Sequence, residues 1–313
     1  MPDSGATPCY TDLAGSVKAA LGRQEVKSLA RSLQAQTGRP GYGPRALIGV
    51  CIVKHLYCLT TWTRTTALIE EHNKLCDAIG TAPSKHAVYR FTKKLSTSLS
   101  LLNACLKKML LSLKDRFPDM GRSVAIDSTD IPAYANGQRL KYSGGEERVF
   151  WSDPDAAWGH RSAVSTRGAG GFYGYKLHLA VCAETSIPLA WVTKPANCSD
   201  MSCVGFLLDT MIDNPVSAIM DKGYDFRETH EVCLDNGTHP IIAQKSRSGT
   251  EDYKRFYCRK KFRDIYRNRS TVESEFGRLK CHYALSELKS RGLSRVSIHV
   301  DLSILSRIAM ELV

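Results

Sequence analysis

The chain of 313 residues carries 43 lysines and arginines against 31 aspartates and glutamates, a formal charge of +12 with a pI near 9.2. Its 43% hydrophobic and 8% aromatic content fits a soluble, mixed globular protein, and the length suggests one large domain or two unequal ones. No run approaches the ~18 apolar residues of a membrane helix, and the start, "MPDSGATPCYTDLAGS", lacks the basic head and apolar core of a signal peptide, so a cytosolic protein with no membrane partner is expected.

The positive charge is concentrated. Residues 1–120 hold 17 basic against 8 acidic side chains and residues 245–280 hold 12 against 5, whereas residues 121–244 hold 10 against 15. A basic front and a basic late segment around an acidic middle suit an anionic substrate clamped about a metal-binding centre.

In chain order, residues 15–120 predict helices, with "LIGVCIVKHLYCL" and "LLNACLKKMLLSLKDRF" apolar at helical spacing and Pro118 ending the series. Within them, a helix over Thr65–Ile79, a Gly-Thr-Ala-Pro break and a second helix capped by Ser84 read as two helices across a short turn. The second carries Lys85, Arg90, Lys93 and Lys94. It reads either as a DNA-reading helix or as a solvated face of a bundle.

From Arg122 strands alternate with helices. "SVAID" predicts a short buried strand, "YGYKLHLAV" and "IPLAWVT" a hairpin, and "CSDMSCVGFLLDTMI" a helix. "SAIMD" predicts a second buried strand, "RETHEVCLDNG" a helix ended by Gly237, and "HPIIAQK" a strand. Helices over about Asp264–Leu285 and from Ser294 onward complete an α/β domain with a mixed sheet. Between Ile131 and Phe172 a Gly-, Ser- and Asp-rich stretch reads as a long functional loop. Its Trp151 and Trp158 are expected to be partly buried against the sheet.

The eleven cysteines read as reduced thiols, and no pair has C-x-x-C spacing. His178 with Cys182, and Cys198 with Cys203, come nearest to metal spacing and are read as packing or surface residues.

Three carboxylates stand out. Asp127 and Asp221 each end a predicted buried strand, and active sites of open α/β sheets gather at such strand ends. Each alone also reads as a turn or helix cap. The third lies in "YRNRSTVESEFGRLK". At roughly 100° per residue, Tyr266, Arg269, Glu273 and Lys280 fall within about 60° of one another, with Glu275 on the opposite side. Glu273 is therefore read as the inward carboxylate and Glu275 as a solvated charge. Three convergent carboxylates suit Mg²⁺. Two such ions, about 4 Å apart, would activate a water or 3′-hydroxyl and stabilise the leaving oxygen of a phosphodiester. Mn²⁺ is a possible substitute. Arg269 and Lys280, with Arg278 beside them, would hold the strand.

These motifs together resemble the DDE transposases of bacterial insertion sequences, in particular the group with a Y-(2)-R-(3)-E-(6)-K signature. Tyr266, Arg269, Glu273 and Lys280 match its four positions, while "AIDSTD" and "IMDKGYD" resemble its two aspartate motifs. "SDPDAAWGHR", "GYKLHLAV" and the helical "GYGPRALIGVCIVKHLYCLTTW" are similar to its other segments, so the likeness runs from about residue 40 to 312. The resemblance implies a ribonuclease-H-like catalytic domain over 121–313, preceded by an all-helical DNA-binding domain over 1–120. It implies a nucleoid-associated enzyme that binds the inverted repeats of its element in double-stranded DNA, as a homodimer. Asp127, Asp221 and Glu273 would be metal ligands, and Tyr266, Arg269 and Lys280 contacts to the transposon end. Only 51 residues separate Asp221 from Glu273, too few for the large β-rich insertion of some members. The rival readings are a nuclease on the same fold, which cuts without joining, and a transposase-derived DNA-binding protein.

Overall fold

The computed structural model describes residues 12–34, 41–135, 141–143, 146–148, 152–161, 170–243 and 260–313. Seven helices come first: α1 (Leu13–Gly22), α2 (Gln24–Ser32), α3 (Pro44–Leu56), α4 (Trp62–Glu71), α5 (Asn73–Ile79), α6 (Lys85–Ser96) and α7 (Leu99–Arg116). The sequence of α3 is apolar on every side, and almost all of it from Pro44 to His55 is buried. A helix hydrophobic all round belongs in the middle of a bundle, and α1, α2, α4, α5 and α6 pack around it. The helix expected over Thr65–Ile79 breaks at His72, which is extended, and α4 starts earlier because Thr61 caps it by accepting from the Arg64 amide at 3.3 Å. Ser84 stands at the N-cap of α6 but makes no capping bond, contrary to expectation.

The sheet contains β1 (Ser123–Pro132), β4 (Ala157–Arg161), β5 (Gly170–Cys182), β6 (Pro188–Pro195), β7 (Ser217–Met220) and β8 (His239–Ile242); β2 (Lys141–Ser143) and β3 (Glu146–Arg148) form a separate two-stranded ribbon. Much of the expected loop over 131–172 is thus strand. In the large sheet β1 lies antiparallel to β5 on one side and parallel to β7 on the other, with β8 beyond β7. The far edge of β5 is shared: residues 170–174 pair with β4 and residues 175–181 with β6. At the changeover a methyl group on Gly174 would collide with the Ile131 carbonyl oxygen, so only glycine lets the backbones approach there. The mixed sheet with flanking helices is thus present, as expected.

Helices α8 (Val204–Thr210) and α9 (Arg227–Asp235) follow β6 and β7, and three more close the chain: α10 (Lys260–Tyr266), α11 (Ser270–His282) and α12 (Leu293–Leu312). The single helix expected over 264–285 is interrupted by a 3₁₀ turn at Arg267–Arg269. Helix α11 packs on β1 and β5, whereas α12 inserts between the helical region and β6, touching α3, α6 and α7. The hydrophobic core is continuous across the two regions. Among the described residues no helix is long and apolar enough to cross a membrane.

One charge lies where the sequence reading did not put it. Glu275 is completely buried rather than solvated, accepting from Arg307 Nε at 3.0 Å and from Arg278 Nη1 at 2.7 Å. The helical-wheel angles were sound; what failed was equating the side opposite Glu273 with solvent, because Arg307 of the buried α12 meets it there. Removing one member of a buried pair strands the other charge. Arg307→Ala is expected to lower unfolding free energy by roughly 3–5 kcal/mol, read as a fall in the chemical-denaturation midpoint; a change below about 0.5 kcal/mol would assign the pair no more than a surface role.

Candidate functional site

The parallel register of β1 and β7 brings two carboxylates to one level. Ala125 is paired with Ile219, and two residues further on stand Asp127, in the middle of β1 rather than at the expected strand end because β1 continues beside β5 to Pro132, and Asp221, just past β7. Asp221 ends its strand and turns the chain: its carboxylate accepts from the Gly223 amide at 2.6 Å. A Cβ at Gly223 would sit 2.7 Å from that oxygen. The capping role and the strand-end position therefore coexist in one residue.

Asp127 has about a quarter of its side chain exposed. One oxygen accepts from the Ser128 amide at 2.8 Å and the other lies 3.9 Å from Arg269 Nη1. Burial pushes its pKa up to about 7, and the charges of Asp221 and Asp200 add to that, against the Ser128 amide and Arg269. This carboxylate is thus short of positive charge.

Helix α11 supplies the third carboxylate. Glu273 is half-exposed and accepts from Arg269 Nη2 at 2.6 Å, so the Arg269 guanidinium bridges Glu273 and Asp127. Lys280, two turns on, donates to Thr129 Oγ1 at 2.7 Å and lies 3.7 Å from Asp130, fastening α11 along β1. Tyr266, at the end of α10, stacks on Phe262 with ring centroids 5.5 Å apart. Burial raises its hydroxyl pKa, and Asp221, Asp127 and Glu273 contribute against Arg269, which puts Tyr266 within electrostatic reach of all three carboxylates. Arg278 faces away from this group and donates to Glu275.

Among the described residues, the oxygens of Asp127, Asp221 and Glu273 do not form a set lying within 4.8 Å of one another. Asp221 is turned to the Gly223 amide and Glu273 to Arg269. The donors are nevertheless all carboxylate oxygens, the ligands Mg²⁺ and Mn²⁺ prefer, and Arg269, 3.9 Å away from Asp127, is shared between Asp127 and Glu273. The residues fit a divalent cation.

Sequence reasoning missed a second polar group on the far side of β1. Asp200, at the start of the turn before α8, accepts from Ser128 Oγ at 3.0 Å and from Lys176 Nζ at 2.9 Å. Tyr224 is buried beside it, its hydroxyl pKa raised by burial and then by Asp127, Asp200 and Asp221. The available signal was Lys176 and His178, two polar residues alternating with apolar ones along β5. The sequence also held no sign of a grouping among the residues read as packing or surface: His178, Cys198 and Cys203 bring one ligand atom each to within 4.8 Å of the others. Chain folding, not spacing, makes that group, because β5 and the segment after β6 meet only in three dimensions.

On α6, Lys85, Arg90, Lys93 and Lys94 are exposed while Ala87, Val88, Phe91 and Leu95 are buried. Lys94 Nζ also donates to the Leu33 carbonyl at 2.6 Å. Trp158, expected to be partly buried against the sheet, is 48% exposed and tilts against Tyr173. Trp151 lies outside the described residues, as does most of the late basic stretch before Lys260.

A family model described as the transposase DDE domain matches residues 119–308, more than half of the chain. No curated protein sequence matches. Among solved structures, the chain is similar to the Mos1 transposase in a paired-end complex with its left transposon end, at 11% identity, 82% coverage of each chain and a TM-score of 0.22.

The pKa of Asp127 sets a pH dependence. In the metal-free fold it keeps its proton up to about pH 7, while an ordinary aspartate loses it near 3.8. The folded state therefore binds the extra proton between those values, and stability falls as pH rises through that window. A divalent cation favours the ionised form, so stabilisation by Mg²⁺ is expected to grow from pH 5 to pH 8, measured as the shift in melting temperature with and without the ion. Asp127→Asn should flatten both dependences; an unchanged pH profile in that variant would remove Asp127 from the titration.

Proposed function

The chain belongs to the transposase DDE domain family, and from that premise we propose that it cleaves DNA at the ends of its own mobile element and joins the freed 3′-hydroxyl to target DNA. The observation that supports this reading is the common level of Asp127 in β1 and Asp221 just past β7, with Arg269 lying 3.9 Å from Asp127 and 2.6 Å from the half-exposed Glu273. These three would hold two Mg²⁺ ions, for which Mn²⁺ could substitute. Bound there, the cations would activate the attacking oxygen and stabilise the leaving one.

The protein's own groups prepare that step. The Asp127 carboxyl must give up its proton before it can ligate, and its raised pKa makes this easy to reverse near neutrality. Arg269 now neutralises Glu273. Were Glu273 to serve as a metal ligand, the Arg269 guanidinium would be free to grip phosphate oxygens in bidentate fashion. Tyr266 and Lys280 flank the same space, and Arg278 lies on the outer side of α11. The exposed basic face of α6, with Lys85, Arg90, Lys93 and Lys94, would carry the flanking duplex. In this reading residues 1–120 form the DNA-binding part and 121–313 the catalytic part. The partners are the inverted repeats and target in double-stranded DNA, engaged by a homodimer in a nucleoid-associated complex.

Two variants test the assignment with a Mg²⁺-dependent assay on labelled DNA carrying the element's end. Glu273→Gln should lose cleavage by more than the roughly 10–100-fold that changes around metal ligands cost, while still shifting the DNA in a gel; retained turnover would exclude Glu273 as a ligand. Lys280→Ala should weaken binding and reduce the slope of log affinity against log salt by about 1. An unaltered slope would show that Lys280 touches no phosphate.

A further inference from the structure

The described residues hold one group suited to a soft metal, and it lies outside the three carboxylates. His178 sits in the middle of β5, opposite Ser128 of β1. Cys198 and Cys203 lie on the segment that leaves β6 and enters α8, with their sulfurs 4.0 Å apart. A ring nitrogen of His178 and the two sulfurs all fall within 4.8 Å of one another. His178 is 1% exposed, yet neither of its ring nitrogens has a hydrogen-bond partner. Burying an imidazole unpaired is costly, and a buried polar group without a partner calls for an explanation.

We propose that His178, Cys198 and Cys203 form a structural zinc site that anchors the segment carrying Asp200 against the sheet beside Asp127. Tetrahedral zinc with Zn–S bonds of about 2.3 Å separates two thiolates by about 3.8 Å, close to the 4.0 Å between these sulfurs. Thiolate and imidazole are the ligands zinc selects over Mg²⁺, so the two kinds of metal sort themselves between the two sites. The fourth position falls to water or to Asp200, whose Oδ1 lies 3.6 Å from His178 Nδ1. Metal-bound histidines commonly face a carboxylate with their second nitrogen, and Asp200 serves that purpose equally well. Burial keeps the imidazole neutral, its pKa lowered to about 4, so a lone pair is free at neutral pH. Binding would displace both thiol protons. The remaining polar neighbours of the sulfurs are Ser202 Oγ, 3.4 Å from Cys198, and the Ser199 carbonyl, 3.7 Å from it. Neither competes strongly for a thiolate.

The functional consequence is indirect. Asp200 holds Ser128 and Lys176, and Ser128 follows Asp127 in β1, so Asp200 acts as a positioning residue whose own loop the ion would fix. The site stands or falls independently of the cleavage chemistry.

The test uses the full chain produced with zinc in the medium, desalted without chelator, and assayed for metal by mass spectrometry. One zinc per chain is expected, lost in Cys198→Ser and Cys203→Ser and kept in Asp127→Asn. In case the serine variants fold poorly, Co²⁺ added to the metal-free wild type should give the visible d–d bands of a tetrahedral ion with thiolate-to-cobalt charge transfer. Chelation should lower the melting temperature. Zinc retained in both serine variants would place it elsewhere. Absence of zinc and of cobalt–thiolate absorption, with both thiols reacting freely or joining as a disulfide on mild oxidation, would overturn the proposal in favour of a simple thiol pair.

Discussion

The orientation of α11 about its own axis depends on one buried carboxylate. Glu275 reaches away from the cleft into the contact with α12, where Arg307 meets it with only 5% of its side chain exposed. A buried charge pair of this kind adds little net stability compared with apolar residues, but it penalises any rotation that separates the charges. Residues two positions apart on a helix point in nearly opposite directions, so fixing Glu275 inward fixes Glu273 outward. Arg269, Glu273 and Lys280 inherit their side of the helix from that pair, and Lys280 then ties the helix to β1.

The second constraint is backbone register. Two parallel strands carry Asp127 and Asp221 to the same level without any attraction between the side chains, which repel. The fold tolerates that repulsion because Asp221 is satisfied by the Gly223 amide and Asp127 can hold a proton. Arg269 supplies the nearest positive charge. This is a site of stored electrostatic cost, the type of arrangement that perturbs pKa values where ligands bind.

Much of this was legible in the sequence. The strands that carry Asp127 and lead into Asp221, the β5–β6 hairpin and the helix carrying Glu273 all follow from local apolar patterns, because a short buried strand or an amphipathic helix writes its period into its own residues, although β1 runs on past Asp127 to Pro132 through polar residues that hide its length. What stayed hidden depends on contacts distant in sequence. The burial of Glu275 is decided by α12, and the break at Arg267–Arg269 by how two helices meet the sheet. The grouping of His178 with Cys198 and Cys203 arises because the hairpin returns the chain to its own strand. The ribbon and β4 escaped notice because short strands at a sheet margin, rich in glycine and charge, lack a period long enough to read.

The placement of α12 bears on how the polypeptide matures. This last helix fills the space between α3, α6 and α7 and completes a core begun more than two hundred residues earlier. During synthesis the front helices therefore emerge with an apolar seam that waits for α12 to cover it. A message cut short before that segment would yield chains with an unfinished interior, ready substrates for proteases. Loss of a few turns of α12 would thus disable the front of the molecule as surely as a lesion there.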